Sequence, residues 1–551
     1  MRVCVLGTAI LPLLLGCGFA QALDFEFKNG ALLEFNSTLT YGAQWRVEGV
    51  DERITGENFI DELQDNPFLP LTDPDYSEAQ TLYLNSNDGN NNFDKGLISN
   101  RLTLLVDLDL SWESYGFFLR GKAFYDDVYR DDDTNLDEFG LISYNSGRLY
   151  GGSTDRGEFP RQTRDQHGDT VEVLDAFAYA TWEIPGERLL DLRLGRQVVN
   201  WGESTFYQGI NSIQNRVDAT AANTPGVEVK EILLPTGTLY MQVDVWGSLT
   251  LEAYYQYEWL ENDLNGVGSY FSTTDQVGPG ANAFIIPTPN SPLVPEAIRG
   301  NEYQLRGVPR GKDDNASDSG QWGVAFHYIT DSNWDIGLYH VRGHDKKPSF
   351  ALSYIDVPGS PQPVPVDYRL RYYEDIKASA VSFTTVLGET NVQGELSFLD
   401  GTPMVDAAGD PRREDFIKAQ LGGSHVFGPS FLADDTVLTF EGFYAEVTSA
   451  DSDELREDDN GWGYSLLADI AYNNVVQGWD LRLPIYFKHD VKGIVREVQH
   501  FEDSKVLSLG VRGIYLNNLT ADLSYAWYMG GGSDNLLRDR DNIALTVKYN
   551  F

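Results

Sequence analysis

Apolar and polar residues alternate along most of the chain, from Phe35 to the last residue, Phe551. In residues 102–112 the even-numbered positions are all apolar, while Asp107 and Asp109 lie at odd-numbered positions. A helix would spread these residues around its surface, whereas a strand separates them onto two faces. The same pattern recurs at 479–483 and 519–527. It predicts an all-β chain.

Three further features favour a membrane barrel over a soluble sandwich, whose strands also alternate. The segments are close to the nine to eleven residues that a tilted strand needs to cross a bilayer. Their apolar faces end in aromatic residues such as Trp112, Trp479 and Trp527, as in an interfacial girdle. The third and strongest feature is that short and long connections alternate strictly. Short connections are predicted at 113–115, 185–187, 247–248, 331–333, 388–389, 428–434, 473–478 and 517–518. Long connections are predicted at 48–98, 130–169, 201–236, 260–319, 344–371, 400–414, 450–461, 490–504 and 530–541.

This alternation predicts a transmembrane antiparallel β-barrel of about eighteen strands, with short periplasmic turns, long extracellular loops and both termini periplasmic.

Residues 1–22 are predicted to be a signal peptide, because Arg2 precedes an apolar stretch and a small-residue site at 20–22. Both cysteines lie in this segment. The alternative is a loose lipobox ending at Cys17, which would carry a lipid anchor. Residues 23–551 are predicted to form the barrel as a single domain.

The net charge of the chain and the position of its acidic residues indicate which binding partners to expect. The formal net charge is −42, from 83 acidic and 41 basic residues, so nucleic acid is not an expected partner. Acidic runs such as 131–133 and 451–459 lie between the predicted strands. We therefore expect these loops to face the outer-membrane lipids and lipopolysaccharide, with divalent cations mediating the contact. The predicted location is the outer membrane.

The last strand ends in an aromatic residue on an apolar face that runs from Ile543 through Tyr549 to Phe551. This pattern resembles the C-terminal signal that the barrel-assembly machinery recognises, so Tyr549 and Phe551 are the candidate assembly signal. The alternative is an ordinary strand that happens to end in phenylalanine.

If the apolar face of each strand meets lipid, the charged residues of opposite parity point into the lumen. The main candidates for lumen lining or a constriction are Asp107, Asp109, Arg120, Lys122, Arg193, Arg482, Arg512 and Asp522, and the same parity places Glu395, Lys418, Glu441, Asp469, Lys488 and Lys548 inside. Charges inside a barrel must be hydrated or paired. They form either a structural ion-pair ladder or a constriction that selects solutes by charge.

One segment raises the question of a metal site. Asp88, Asn90, Asn92 and Asp94 alternate as oxygen ligands do in a calcium loop, but the sixth position is a phenylalanine rather than a glycine. A polar turn leading into the second strand is favoured over a calcium site. The loops at 130–169 and 260–319 are long enough to fold into the lumen. The apolar, proline-rich stretch 284–289 would then line an entrance or pack as a lid.

No nucleophile elbow, phosphate-binding loop or dinucleotide fingerprint occurs in the sequence, so neither an enzyme nor a cofactor is predicted.

Two stretches, 87–102 and 192–204, resemble a known family, as do Pro225-Gly226 and Lys230-Glu231 that follow. Together with the first strand, 40–46, they are similar to the large proteobacterial outer-membrane proteins of the domain of unknown function 1302 family.

The resemblance implies a barrel over the full mature length and no catalytic residues. It also implies a genomic context. Genes of this family often lie beside genes for an outer-membrane lipoprotein family and for resistance-nodulation-division transporters, and near genes of pathways that degrade hydrophobic compounds. The leading hypothesis is therefore an outer-membrane channel or transporter for a small hydrophobic molecule or lipid. Its partners would be an outer-membrane or periplasmic lipoprotein and an inner-membrane transporter. The alternatives are a diffusion porin for small polar solutes and a non-transporting barrel used for assembly or adhesion.

Overall fold

The structure, a computed structural model, describes residues 23–51, 54, 66, 82–130, 159–300, 304–358 and 363–551. In this part of the chain one antiparallel sheet of nineteen strands contains a closed barrel wall of eighteen. The remaining strand, Leu23–Glu26, pairs with the first wall strand only. In chain order the wall strands are β1 (Leu32–Arg46), β2 (Gly96–Trp112), β3 (Tyr115–Asp126), β4 (Asp169–Ile184), β5 (Arg188–Gln197), β6 (Thr236–Trp246), β7 (Leu249–Gln256), β8 (Gln321–Ile329), β9 (Asp335–Gly343), β10 (Ile376–Leu387), β11 (Thr390–Val405), β12 (Pro411–Val426), β13 (Asp435–Val447), β14 (Asn460–Val476), β15 (Trp479–Lys492), β16 (Lys505–Tyr515), β17 (Leu519–Met529) and β18 (Asn542–Asn550).

Every wall strand pairs with its chain neighbours, and β18 closes the barrel on β1. Closure leaves no open sheet edge, which hydrocarbon could not satisfy. The predicted fold class and strand number are thereby confirmed. Eight short connections lie at one end and nine connections at the other, and all nine except 406–410 are longer than any of the eight. We name the nine connections L1 to L9 in chain order: 47–95, 127–168, 198–235, 257–320, 344–375, 406–410, 448–459, 493–504 and 530–541.

Two predictions about element length were wrong. The wall strands contain 8 to 17 residues, whereas segments close to nine to eleven residues were predicted. The sixth long connection is only 406–410 instead of 400–414, because β11 and β12 continue their ladder as far as Val405 and Pro411. Backbone pairing is not limited to the part of a strand that crosses the bilayer, so polar sequence at a strand end does not mark the end of the ladder.

The two faces of the wall differ as the alternation predicted. Outward side chains such as Leu104, Leu194, Leu421 and Leu523 are 38 to 57% exposed, as expected of residues that meet lipid. No helix among the described residues is long and apolar enough to cross a membrane. In the described part of the chain, short helical turns occur only in the connections.

The long connections form a roof over one end of the barrel. In L4, strands Ala283–Pro287 and Leu305–Pro309 pair with each other, and in L5 strands Ser349–Ile355 and Val364–Arg371 do the same. Phe284 packs edge-on against Phe350, with ring centroids 5.0 Å apart. The apolar stretch 284–289 thus packs as part of the roof. Of the predicted lumenal loop 130–169, residues 131–158 lie outside the described residues.

Candidate functional site: a loop across the barrel lumen

L3 leaves β5 and enters the barrel in two limbs, which we call the proximal limb (198–214) and the distal limb (215–235). The proximal limb is held by two buried, inward-facing glutamates of the wall. Glu395 on β11 accepts hydrogen bonds from the backbone N–H groups of Ile210 at 2.7 Å and Glu203 at 3.2 Å. Gly202 and Gly209 contact its carboxylate so closely that a Cβ at either position would collide with it.

Glu441 on β13 holds the next turn of the proximal limb. Its carboxylate accepts hydrogen bonds from the backbone N–H groups of Thr205 at 3.0 Å, Phe206 at 2.6 Å and Tyr207 at 3.0 Å. Glu441 is 1% exposed. A buried carboxylate that accepts several N–H groups is well satisfied without a cation. The two glutamates therefore orient the limb through its backbone.

The side chains of the proximal limb cover an apolar part of the inner wall. Trp201 packs against Tyr254, with ring centroids 4.9 Å apart, and Tyr207 stacks on Phe443 at 4.8 Å. Inward residues of β7 to β13 complete this cluster, which we call the inner apolar wall: Tyr254, Ala325, Tyr339, Val341, Ala378, Ala380, Leu399, Phe416, Phe443, Ala445 and Val447. A barrel interior filled only with water would not bury such a surface.

The distal limb reaches the opposite wall. A Cβ built on Gly42 of β1 would lie 3.5 Å from Cβ of Pro225, and Gly226 contacts Thr546 of β18. Lys548 of β18 pairs with Glu228 at 2.8 Å. L3 therefore contacts β11 and β13 with one limb and β1 and β18 with the other, so it spans the lumen.

The predicted lumenal residues on β2 and β3 form a connected network. The Arg120 guanidinium pairs with Asp107 at 2.7 Å and with Asp175 of β4 at 3.1 Å. Asp109 accepts a hydrogen bond from the Tyr179 hydroxyl at 2.6 Å. Lys122, which is 2% exposed, pairs with Glu172 at 3.0 Å and lies 3.7 Å from Asp218 of the distal limb. These residues stabilise the wall, and Lys122 also attaches L3 to it.

The other predicted lumenal residues are more open. Arg193 lies over the ring of Tyr240, 5.1 Å from its centroid. Arg482 pairs with Asp469 at 2.7 Å, and Arg512 pairs with Asp522 at 2.8 Å. The Arg482 and Arg512 side chains are 37% and 44% exposed. Both lie on the inward face, opposite in parity to outward residues such as Ile485 and Val511.

The calcium candidates belong to a buried turn beneath L9. Residues Asp88–Asn91 form one helical turn. The side-chain oxygen of Asn90 accepts a hydrogen bond from Arg46 at 2.8 Å, and the Asn92 amide donates to Gly268 at 2.9 Å. Asp88 is buried whereas Asp94 is exposed. The described residues hold no group of three or more His, Cys, Asp or Glu side chains placed to share a metal ion. This placement favours the polar-turn alternative.

The candidate assembly signal lies at the barrel seam. Phe551 continues the ladder beyond β18: its N–H donates to Ser37 at 2.9 Å, and its carbonyl accepts from the Ser37 N–H at 2.8 Å. Its ring stacks on Tyr549 at 5.8 Å. Recognition by the assembly machinery stays a prediction.

Charged loop residues connect L3 to the roof. Lys346 of L5 donates a hydrogen bond to the Ile213 carbonyl at 2.7 Å. Burial lowers the pKa of Lys346 to about 8. Burial, reinforced by Glu497 of L8, raises the pKa of Asp345 to about 7. Lys347 of L5 pairs with Glu497 of L8 at 3.2 Å, so L5 is in contact with both L3 and L8.

The sequence analysis did not name L3 as a lumenal loop; it named 130–169, of which 131–158 lie outside the described residues, and 260–319. Length alone could not distinguish them, because L3 is shorter than L4. The available indication was the pair of glycines Gly202 and Gly209, which the buried Glu395 carboxylate requires. L4 lies in the roof, where it contacts L1 through Asp275 and Asn87.

Solved structures with a similar overall shape are OccK9 (OpdG) of Pseudomonas aeruginosa and OccAB2 of Acinetobacter baumannii. Each is 10% identical to this chain with a TM-score of 0.42, over 94% of this chain and 98% of the other. OmpF of Salmonella typhi, solved with daunomycin, is 8% identical with a TM-score of 0.37, over 96% and 100%. At these TM-scores none of the three indicates what this chain transports. The chain has no significant match among curated proteins.

A family model described as "Protein of unknown function (DUF1302)" matches residues 3–551. The match covers both stretches that carried the resemblance in the sequence, as well as L3 and all eighteen wall strands. The chain belongs to the DUF1302 family.

Proposed function

We propose that the protein is an outer-membrane channel in which L3 is the gate, and that its substrate is a small hydrophobic molecule or lipid. The observation that carries the proposal is the inner apolar wall beneath the proximal limb. Displacement of Trp201, Tyr207 and Ile210 would expose the apolar side chains of this wall, together with the charged side chains of Glu395, Lys418 and Glu441 that lie among them. A hydrophobic molecule gains free energy on such a surface at roughly 25 cal/mol per Å² of apolar area removed from water.

Periplasmic partners belong to this proposal. A hydrophobic molecule that leaves the barrel needs an acceptor, and the family resemblance supplies the expected kinds, a lipoprotein and an inner-membrane transporter. The protein contributes a route and a gate, with no chemical step. The assembly or adhesion scaffold is the weaker alternative, because a scaffold does not require a loop that crosses the lumen.

A second candidate function is diffusion of small polar solutes. The observation that favours it is the partly exposed pairs Arg482–Asp469 and Arg512–Asp522 on the lumenal face of β14 to β17. Opposed charges in a water-filled passage select solutes by charge and dipole. The two candidates predict different permeating molecules.

A disulfide between L3 and the wall tests the gate. An ideal Cβ built on Gly42 lies 3.5 Å from Cβ of Pro225, a separation that suits a disulfide between cysteines at the two positions. The double variant G42C/P225C is expressed in a Gram-negative host that lacks its major porins. Uptake of the hydrophobic dye N-phenyl-1-naphthylamine and of a polar β-lactam is then measured with and without reductant.

We expect dye uptake to fall on oxidation and to recover on reduction. The control pair S424C/T439C joins neighbouring inward positions of β12 and β13, so it crosslinks the wall without touching L3. Dye uptake equal to that of cells without the protein would reject the hydrophobic substrate. Redox-dependent β-lactam uptake in that case would favour the polar-solute channel.

A further inference from the structure

Arg482 and Arg512 occupy directly opposed positions on β15 and β16. Opposed residues of an antiparallel pair have Cβ atoms about 4.5–5.5 Å apart, and like charges there destabilise the sheet. Among the described residues, the carboxylates that pair with these arginines are Asp469 on one side and Asp522 on the other. Both side chains lie on the lumenal face, and they are 37% and 44% exposed.

Both arginines retain unused donors. A guanidinium carries five N–H donors. Arg482 uses one nitrogen, Nη1, for Asp469, and Arg512 uses one nitrogen, Nε, for Asp522. Their other nitrogens have no hydrogen-bond partner among the described residues, and both side chains are more than one third exposed. Two planar donor forks on one face match a carboxylate, which accepts such pairs through both oxygens.

Arg120 shows the contrasting arrangement. It lies between two carboxylates, Asp107 and Asp175, and is 16% exposed, so its charge is already balanced within the wall. Arg193 is exposed but has no arginine opposite, since its partner across β5 and β6 is Tyr240. Of these inward arginines, only Arg482 and Arg512 combine mutual proximity, spare donors and access to the lumen.

An aromatic contact lies on the same inward face, between this pair and the inner apolar wall. Tyr486 lies on the same inward face of β15, four residues from Arg482, which is about 13 Å along a strand. Its ring packs against Phe206 of the proximal limb, with centroids 5.6 Å apart. The neighbouring Tyr207 stacks on Phe443 in the apolar cluster.

We propose that Arg482 and Arg512 bind the carboxylate of an amphipathic substrate whose apolar body extends toward Tyr486 and Phe206. The inference rests on the proposed hydrophobic-substrate channel and narrows its substrate to molecules with a carboxylate at one end. The apolar body would interact with the wall beneath L3, while the carboxylate would relieve the repulsion between the two arginines.

Three probes separate the two parts of the site: 6-phenylhexanoate, its uncharged counterpart 6-phenylhexan-1-ol, and acetate. Affinities are measured by titration calorimetry on the purified full-length barrel in detergent micelles. We expect 6-phenylhexanoate to bind at least about tenfold more tightly than either other probe, as two charge-assisted contacts imply. The double variant R482Q/R512Q should lose this advantage, and R482K/R512K should keep part of it because charge remains but the planar fork is lost.

R193Q is the matched control, because it removes one lumenal arginine without touching the pair. Heat-modifiable gel mobility verifies that each variant forms a barrel. The proposal is overturned if wild type shows no preference for 6-phenylhexanoate over 6-phenylhexan-1-ol, if R482Q/R512Q binds 6-phenylhexanoate within twofold of wild type, or if R193Q weakens binding as much.

Dye uptake in cells separates this site from the channel function. If the G42C/P225C disulfide controls dye uptake but wild type shows no preference for 6-phenylhexanoate over 6-phenylhexan-1-ol, the carboxylate site is rejected and the channel function stands. If the preference holds in wild type and is lost in R482Q/R512Q, while the dye never enters, the site stands and the hydrophobic channel is rejected.

Discussion

At the scale of single residues, two carboxylates determine where L3 lies. Glu395 and Glu441 are inward residues of β11 and β13, and together they accept five backbone hydrogen bonds from the proximal limb. Bonds to a charged group contribute about 1.5–3 kcal/mol each, more than neutral ones. The attachment therefore depends on side chains that the limb itself does not contain.

Glu441→Gln should loosen the proximal limb. The side-chain NH₂ group of glutamine would face backbone N–H groups of the limb and could not accept hydrogen bonds from them. Recordings in planar bilayers should show more frequent or larger openings than wild type. Glu446→Gln is the control, since Glu446 lies on the outward face of the same strand and bonds to Tyr444. Unchanged conductance in Glu441→Gln would mean that the other contacts of L3, including those with Glu395, are sufficient to hold the proximal limb.

At the scale of elements, the long connections hold one another in place. L1 and L4 meet where the Asp275 carboxylate accepts hydrogen bonds from the N–H groups of Asn87 at 3.0 Å and Asp88 at 3.3 Å. Arg540 of L9 donates to the Gly89 carbonyl at 2.7 Å. The roof is thus built from contacts between loops that are distant in sequence.

The L1–L4 contact should depend on pH. Burial raises the pKa of Asp275 from 3.8 to about 7. A pKa raised by folding means that the folded contact holds the proton more tightly than the detached loop does. The contribution of protonated Asp275 to the stability of the L1–L4 contact is therefore complete below about pH 4 and is lost as the pH rises towards 7.

Limited proteolysis of L4 in the intact barrel should accordingly be slower at pH 5 than at pH 8. Asp275→Asn keeps an acceptor and removes the charge, so its proteolysis should vary less between the two pH values. An equally steep dependence in Asp275→Asn would assign the effect to other groups, such as Asp345.

At the scale of the whole molecule, the fold is a closed cylinder with all long connections at one end. Protease added to intact cells should cut within L4, and the turn at 185–187 should be cut only after the outer membrane is permeabilised. The reason is that antiparallel strands joined in chain order put every turn on the opposite side from every loop. A cut at 185–187 in intact cells would reverse the predicted orientation.

Barrel closure gives the last residue two separable roles. Deletion of Phe551 removes both its backbone hydrogen bonds to Ser37 and its ring, whereas Phe551→Ala removes only the ring. If the ring is an assembly signal, both variants should lower the amount of heat-modifiable protein in the outer membrane. Normal levels in Phe551→Ala with low levels in the deletion would assign the defect to seam closure.

The sequence alone determined the architecture, because its physical basis is local. Period-two alternation in a strand such as β2 fixes which side chains meet lipid, and turn and loop lengths fix the order of antiparallel neighbours. The eighteen strands, the short and long connections and the family could therefore be predicted. The inward face of Arg482 and Arg512 follows from the same parity.

Only the tertiary structure decided what fills the lumen. L3 carries no periodicity, and its position depends on Glu395 and Glu441, which lie about two hundred residues further along the chain. The register between β15 and β16, which places Arg482 opposite Arg512, likewise arises from pairing between strands. Alternation reports the face of a residue but carries no information about its partner across the barrel. That partner is determined when the sheet closes and the loop is packed inside it.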